Sequence, residues 1–176
     1  MFDFLRSRRR EQLLAQPFPV AWREVLEHRV PFYRTLSQAQ RAKLEGLVQI
    51  FLAEKEFIGA GGLELDDEKR VIIAASAVRL VLNLDIDRFD RLREIIVYTN
   101  AYRRPEQEPV FLGEAHDWGV VVLAWDAVCE GLARPTDGHD PALHEMAHVI
   151  DRDNGSLDGT PELHARGDYR PWATVP

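Results

Sequence analysis

The chain has a single cysteine, Cys129, so an internal disulfide is excluded and a reducing compartment is expected. That cysteine ends the run Trp125-Asp126-Ala127-Val128-Cys129, an apolar setting that predicts a buried structural thiol rather than a nucleophile. Long hydrophobic runs are also missing. Gly119 to Trp125 is among the longest, far short of the ~20 apolar residues needed to cross a bilayer. Residues 1–22 carry charges throughout and lack the apolar stretch of an export signal. These absences predict a cytoplasmic protein without membrane contact. There is no basic surplus: 22 Lys and Arg stand against 29 Asp and Glu, for a net charge of -7. Direct nucleic-acid binding, which leaves a basic footprint, is not expected. The one basic run, Arg6-Ser7-Arg8-Arg9-Arg10, reads as a solvated, frayed terminus.

What is present suits a soluble globular domain: 45% hydrophobic and 29% charged residues over 176 positions, enough to bury a core. Residues 1–20 read as an extended or partly helical lead-in ending in Pro17-Phe18-Pro19, and 21–29 as a short helix. Ser37 is a good N-cap for an amphipathic helix marked by Leu44, Leu47, Val48, Phe51 and Leu52. That helix breaks before Gly59, and Gly61-Gly62 marks a turn. Asp66-Asp67-Glu68 places acids where a helix dipole favours them, ahead of an apolar helix from Val71 to Leu84. Ile95 to Tyr98 and Gly119 to Trp125 read as strands. Asp126 to Ala133 suits a helical turn, and residues 134–138 a loop. A last helix runs from His139 or Asp140 to Arg152, with Pro141 in its first turn and Asn154-Gly155 as its stop. No repeat or linker divides the chain, so residues 1–176 read as one domain.

The chemistry concentrates in that last helix, which carries His144-Glu145-Met146-Ala147-His148. Residues four apart share a helix face, so both imidazoles reach one zinc ion. A metal-bound water has its pKa lowered to about 7, and Glu145 is placed to take its proton. This is a known zinc-protease pattern, though short patterns also recur by chance, and two ordinary histidines on an acidic helix would give the same string. The expected metal ligands are His144 and His148, the expected catalytic base is Glu145, and the expected cofactor is Zn2+. Leu143, Ala147 and Ile150 form an apolar stripe beside the histidine face, and Asp151 is placed to support a ligand from behind. A third ligand is not evident. Asp151 and Asn154 stand where a metzincin needs glycine and histidine, which excludes that subclass. Glu162, His164 and Asp168 are in reach by sequence distance, with surface loop polarity as the competing reading. His28 and His116 read as surface and loop residues, and His139 as a residue that caps or orients the motif helix.

The order of several segments resembles the Mlc titration factor A family of peptidases. The matching residues include Pro17-Phe18-Pro19 with Trp22, Tyr33 to Leu36, Phe51 to Phe57 with Gly59, Ile73 to Ala75, and the Val120 to Trp125 strand. They are densest from Gly138-His139 through Leu143 to His148 and on to Asp151, Asn154 and Gly155. The resemblance implies a gluzincin-like zinc metallopeptidase, related in its core to the anthrax lethal factor protease domain, with aminopeptidase-like activity on peptide substrates in the cytoplasm. It carries His144 and His148 over as zinc ligands and Glu145 as the general base. It also implies a transcriptional repressor, Mlc-like, as a partner. The alternative function is therefore a regulatory module that sequesters a repressor of sugar uptake, with weak or no catalysis.

In that family the third zinc ligand is a glutamate on a later helix, beyond any counterpart of Trp172. A C-terminally truncated form is thus expected, or else a ligand supplied by an internal residue or a partner chain. The fold class expected is α+β and zincin-like, with helices packed on a small mixed β-sheet around the motif helix. By resemblance, Val120 to Leu123 is nominated to pair with substrate, an interior strand being the competing reading.

Overall fold

Ser37 opens the longest helix by a reciprocal device. Its hydroxyl accepts the Gln40 N–H at 3.3 Å while the Gln40 side chain accepts the Ser37 N–H at 2.9 Å. A computed structural model describes residues 2–100, 113–116, 119–134 and 140–153. In chain order its helices are α1 (Phe2–Leu14), α2 (Val20–Arg29), α3 (Gln38–Glu54), α4 (Asp67–Arg79), α5 (Trp125–Ala133) and α6 (Pro141–Asp153). The strands are β1 (Glu56–Ala60), β2 (Glu94–Tyr98), β3 (Gly113–His116) and β4 (Val120–Ala124), and short 3-10 turns span Pro31–Thr35 and Ile86–Phe89.

The strands form one sheet in the order β1-β2-β4-β3. β1 and β2, and β2 and β4, pair in parallel, whereas β3 runs antiparallel to β4. The class is α+β, with helices on a small mixed sheet, as expected. β4 is hydrogen-bonded on both sides, and Val121, Val122 and Leu123 are all buried. Such two-sided burial is the mark of an interior strand. The nomination of Val120 to Leu123 as a substrate-pairing edge therefore falls, and among the described residues β3 is the outer strand on that side.

A single buried cluster joins the helices to the sheet, running from Phe18 and Leu26 through Phe51 and Ile73 to Val121 and Met146. Its densest layer is α4, where Val71 to Val78 are all buried. Asp66 caps α4 by accepting the Lys69 N–H at 2.9 Å. The helix stops at Arg79 rather than Leu84, because Leu80, Val81 and Leu82 shift to bonds three residues back. Gly119 sets the start of β4. Its φ is 78°, and a Cβ there would stand 2.1 Å from the Arg91 carbonyl oxygen. Its own carbonyl accepts the Arg93 N–H at 2.7 Å, locking the entry of β4 to the entry of β2.

Several expectations from sequence are corrected here. The lead-in is partly helical, as α1, but its arginines are not all free in solvent. Arg10 forks onto Glu54 at 2.7 and 2.9 Å, and Arg6 and Arg10 both reach the Asp87–Asp90 turn. β1 went unread because only Phe57 turns fully inward, and neighbouring glycines read as breakers. Trp125 begins α5 instead of ending β4, and the helical turn expected at 126–133 is a nine-residue helix. His116 lies on β3, not in a loop. Cys129 is half-buried, and burial pushes its thiol above the ordinary range. No helix among the described residues is long and apolar enough to cross a membrane.

Candidate metal centre

Asp140 opens α6: its carboxylate accepts the Leu143 N–H at 3.0 Å and its carbonyl accepts the His144 N–H at 2.9 Å. Pro141 then occupies the first helical position, where its missing N–H costs nothing. α6 packs against α4, α5, β3, β4 and the turn at Ile86–Phe89. Ala142 and Met146 are fully buried, and Val149 and Ile150 pack on the core from its margin. Of the expected stripe Ile150 packs on the core, whereas Ala142 and Met146 take the inward places expected of Leu143 and Ala147. Ala147 is exposed, because it lies on the side shared with the histidines.

The opposite face carries the motif. His144 is exposed, while Glu145 and His148 are half-buried. The His144 and His148 rings meet edge to face, with centroids 4.5 Å apart and planes at 85°. Their Nε2 atoms approach to 3.0 Å. Without a metal, that distance suits one Nε2–H donating to the other ring's lone pair. With both rings neutral and both lone pairs turned inward, the same two nitrogens are the donor atoms that zinc takes from histidine. The pair therefore fits a divalent cation as two of its ligands. Among the described residues, no third His, Cys, Asp or Glu groups with them. Asp151 is half-buried on the same helix and engaged within the protein.

Glu162, His164, Asp168 and His139 lie outside the described residues. His28 is exposed on α2, its Nδ1 2.8 Å from the Glu24 carbonyl, as expected of a surface residue. What sequence reasoning missed is the strand beside the site. β3 packs against α6, but Gly113-Glu114-Ala115-His116 has neither the alternation nor the β-branched residues that would have revealed it.

The family model for the glucose-regulated metallo-peptidase M90 matches residues 4–176. The chain belongs to this family. Uncharacterized protein slr2042 of Synechocystis sp. is 38% identical over 179 aligned residues, covering 95% of this chain and 65% of that protein. Mlc titration factor A of Cronobacter sakazakii is 27% identical, covering 88% of this chain and 61% of the relative. Mlc titration factor A of Escherichia coli is 26% identical over 82% of this chain and 58% of its own length. The chain thus spans less than two thirds of each of these relatives. Membership supports the zincin-like reading of the α+β fold.

Proposed function

We propose that this chain, acting as one domain, is a zinc-dependent metallopeptidase of aminopeptidase type in the cytoplasm. The observation that carries the reading is the approach of the His144 and His148 Nε2 atoms to 3.0 Å on the solvent-facing side of a helix that also carries Glu145. His144 and His148 would hold the ion, and a third ligand would come from outside the described residues, since zinc sites use three protein ligands plus water. Bound there, zinc supplies a Lewis acid that brings a water proton within reach of a carboxylate at neutral pH. Glu145 would be the general base of the site, taking a proton from the attacking water and handing it to the leaving amine. Among the described residues β3 is the outer strand beside α6, and its outer edge is suited to pair with an extended peptide backbone.

The test is zinc content by elemental analysis, together with hydrolysis of amino-acid arylamide substrates. Glu145→Gln is expected to keep the metal and lose 10²- to 10⁴-fold in rate, whereas His144→Ala loses both. A Glu145→Gln protein as active as the parent would overturn the assignment of the base. Absence of stoichiometric zinc at micromolar metal would overturn the site.

A second reading follows from the relatives' name. A family member called Mlc titration factor A points to a repressor of the Mlc type as partner, and the chain would then act by sequestering that repressor. Pull-down of such a repressor that persists in His144→Ala would support this reading, and no binding by the parent would end it.

A further inference from the structure

Among the described residues six large apolar side chains are exposed, and four of them, Phe4, Leu5, Leu14 and Val20, sit on α1 or at the start of α2. No described side chain of α1 is fully buried. Much of its hold on the body is ionic: Arg10 forks onto Glu54 and pairs with Asp87, and Arg6 pairs with Asp87 and Asp90. These pairs fix the roll of the helix. Phe4, Leu5 and Arg8 then share the side opposite Arg6 and Arg10, with Phe4 67% and Leu5 58% exposed. Arg8 is exposed there and makes no hydrogen bond or ion pair among the described residues. Arg9, at the margin of that side, is also exposed and donates to the Ala53 carbonyl at 3.3 Å, leaving it no carboxylate partner among them. Glu11 is the one described carboxylate of α1, and it is exposed. Apolar side chains one turn from unpaired guanidinium groups match an interface that offers hydrocarbon and phosphate together. A bilayer containing anionic phospholipid offers both, whereas a soluble polyanion offers the charge alone.

We infer that the outer face of α1 docks on an anionic phospholipid surface, with Phe4 and Leu5 entering the headgroup layer and Arg8 and Arg9 on lipid phosphates. Such a contact is peripheral and needs no helix that crosses the bilayer. The chain as a whole carries a net charge of -7 and is repelled by such a surface. That repulsion turns the α1 side toward the lipid and makes binding weak and salt-sensitive. The inference is independent of the metal centre on α6.

The test is sedimentation of the whole chain with lipid vesicles at low ionic strength. Vesicles of phosphatidylglycerol and phosphatidylcholine in equal parts are expected to bind at least tenfold more tightly than phosphatidylcholine alone, and added salt to release the protein. One cation near an anionic surface contributes about fivefold in affinity, so Arg8→Gln combined with Arg9→Gln should weaken binding at least tenfold. Phe4→Ser combined with Leu5→Ser should do the same, and both double variants should keep the parent's circular dichroism. Failure of the parent to bind the anionic vesicles, or equal binding to neutral ones, would overturn the inference without any variant. So would a folded Phe4→Ser, Leu5→Ser protein that binds anionic vesicles unchanged, or heparin binding by the parent as tight as its vesicle binding.

Discussion

Lys55 is buried, 9% exposed, at the end of α3, and its ammonium donates to the carbonyls of Phe89 at 2.7 Å and Leu92 at 2.8 Å. These bonds hold the segment that leads into β2, and the turn at Ile86–Phe89 in turn packs against α6. Lys55→Met keeps most of the apolar stem and deletes both donors. A hydrogen bond to a charged group contributes about 1.5–3 kcal/mol net, and two carbonyls would be left inside without partners. Removing the buried charge gives part of this back, so the expected loss is roughly 2–4 kcal/mol. For a domain of this size that lowers Tm by roughly 5–15 °C. In urea the midpoint should fall with the slope unchanged. A pH series adds a second check. Burial lowers the Lys55 pKa below its usual 10.5, so between the folded and unfolded values the unfolded chain binds more protons. Stability contributed by Lys55 therefore rises with pH across that window, and the gap between parent and Lys55→Met should widen. A loss under 1 kcal/mol, or a gap that narrows as pH rises, would refute the reasoning.

Gly119→Ala is expected to cost more than about 2 kcal/mol, seen as a lower urea midpoint or insoluble protein, because it combines left-handed backbone with a Cβ contact of 2.1 Å to Arg91. Asp140→Ala removes the cap of α6 and should cost about 1 kcal/mol, with faster amide exchange confined to the first turn. The Tyr33 hydroxyl donates to Glu45 at 2.5 Å, and Arg23 forks onto the same carboxylate. Burial pushes Tyr33 up from 10.0 to about 12, so its contribution is present below pH 10 and lost as pH rises toward 12. Burial alone would raise Glu45, but the hydrogen bonds from Arg23 and Tyr33 outweigh it and hold the carboxyl below 4.5. Its contribution is present above pH 4.5 and lost as pH falls through the lower folded value. In thermal melts a Glu45→Gln protein should lose the acidic dependence, and should keep the part of the alkaline dependence that burial of Tyr33 causes.

α3, α4 and α6 were legible because their signals are local: Ser37, Asp66 and Asp140 lie at or just before the first turn each one caps, and apolar spacing marks the bodies. The strands were legible only in part. β2 and β4 carry β-branched runs, whereas β1 and β3 have short, mixed sequences that become strands through partners far along the chain. The boundary between β4 and α5 falls at Trp125 because the Asp126 N–H turns to the Thr99 carbonyl, a contact no local pattern announces.

The histidine pair that opened the functional question was set by sequence alone, since helical spacing brings residues 144 and 148 to one face wherever the helix lies. Which side of α6 turns inward was not. That was decided by the fit of Ala142 and Met146 against α4 and the sheet, which takes the inward places expected of Leu143 and Ala147 and leaves His144 in solvent. The placement of β3 beside α6 and the clamp of Lys55 on a distant loop likewise exist only once remote segments pack. Each rests on the distance between groups tens of residues apart, and only tertiary structure sets that distance.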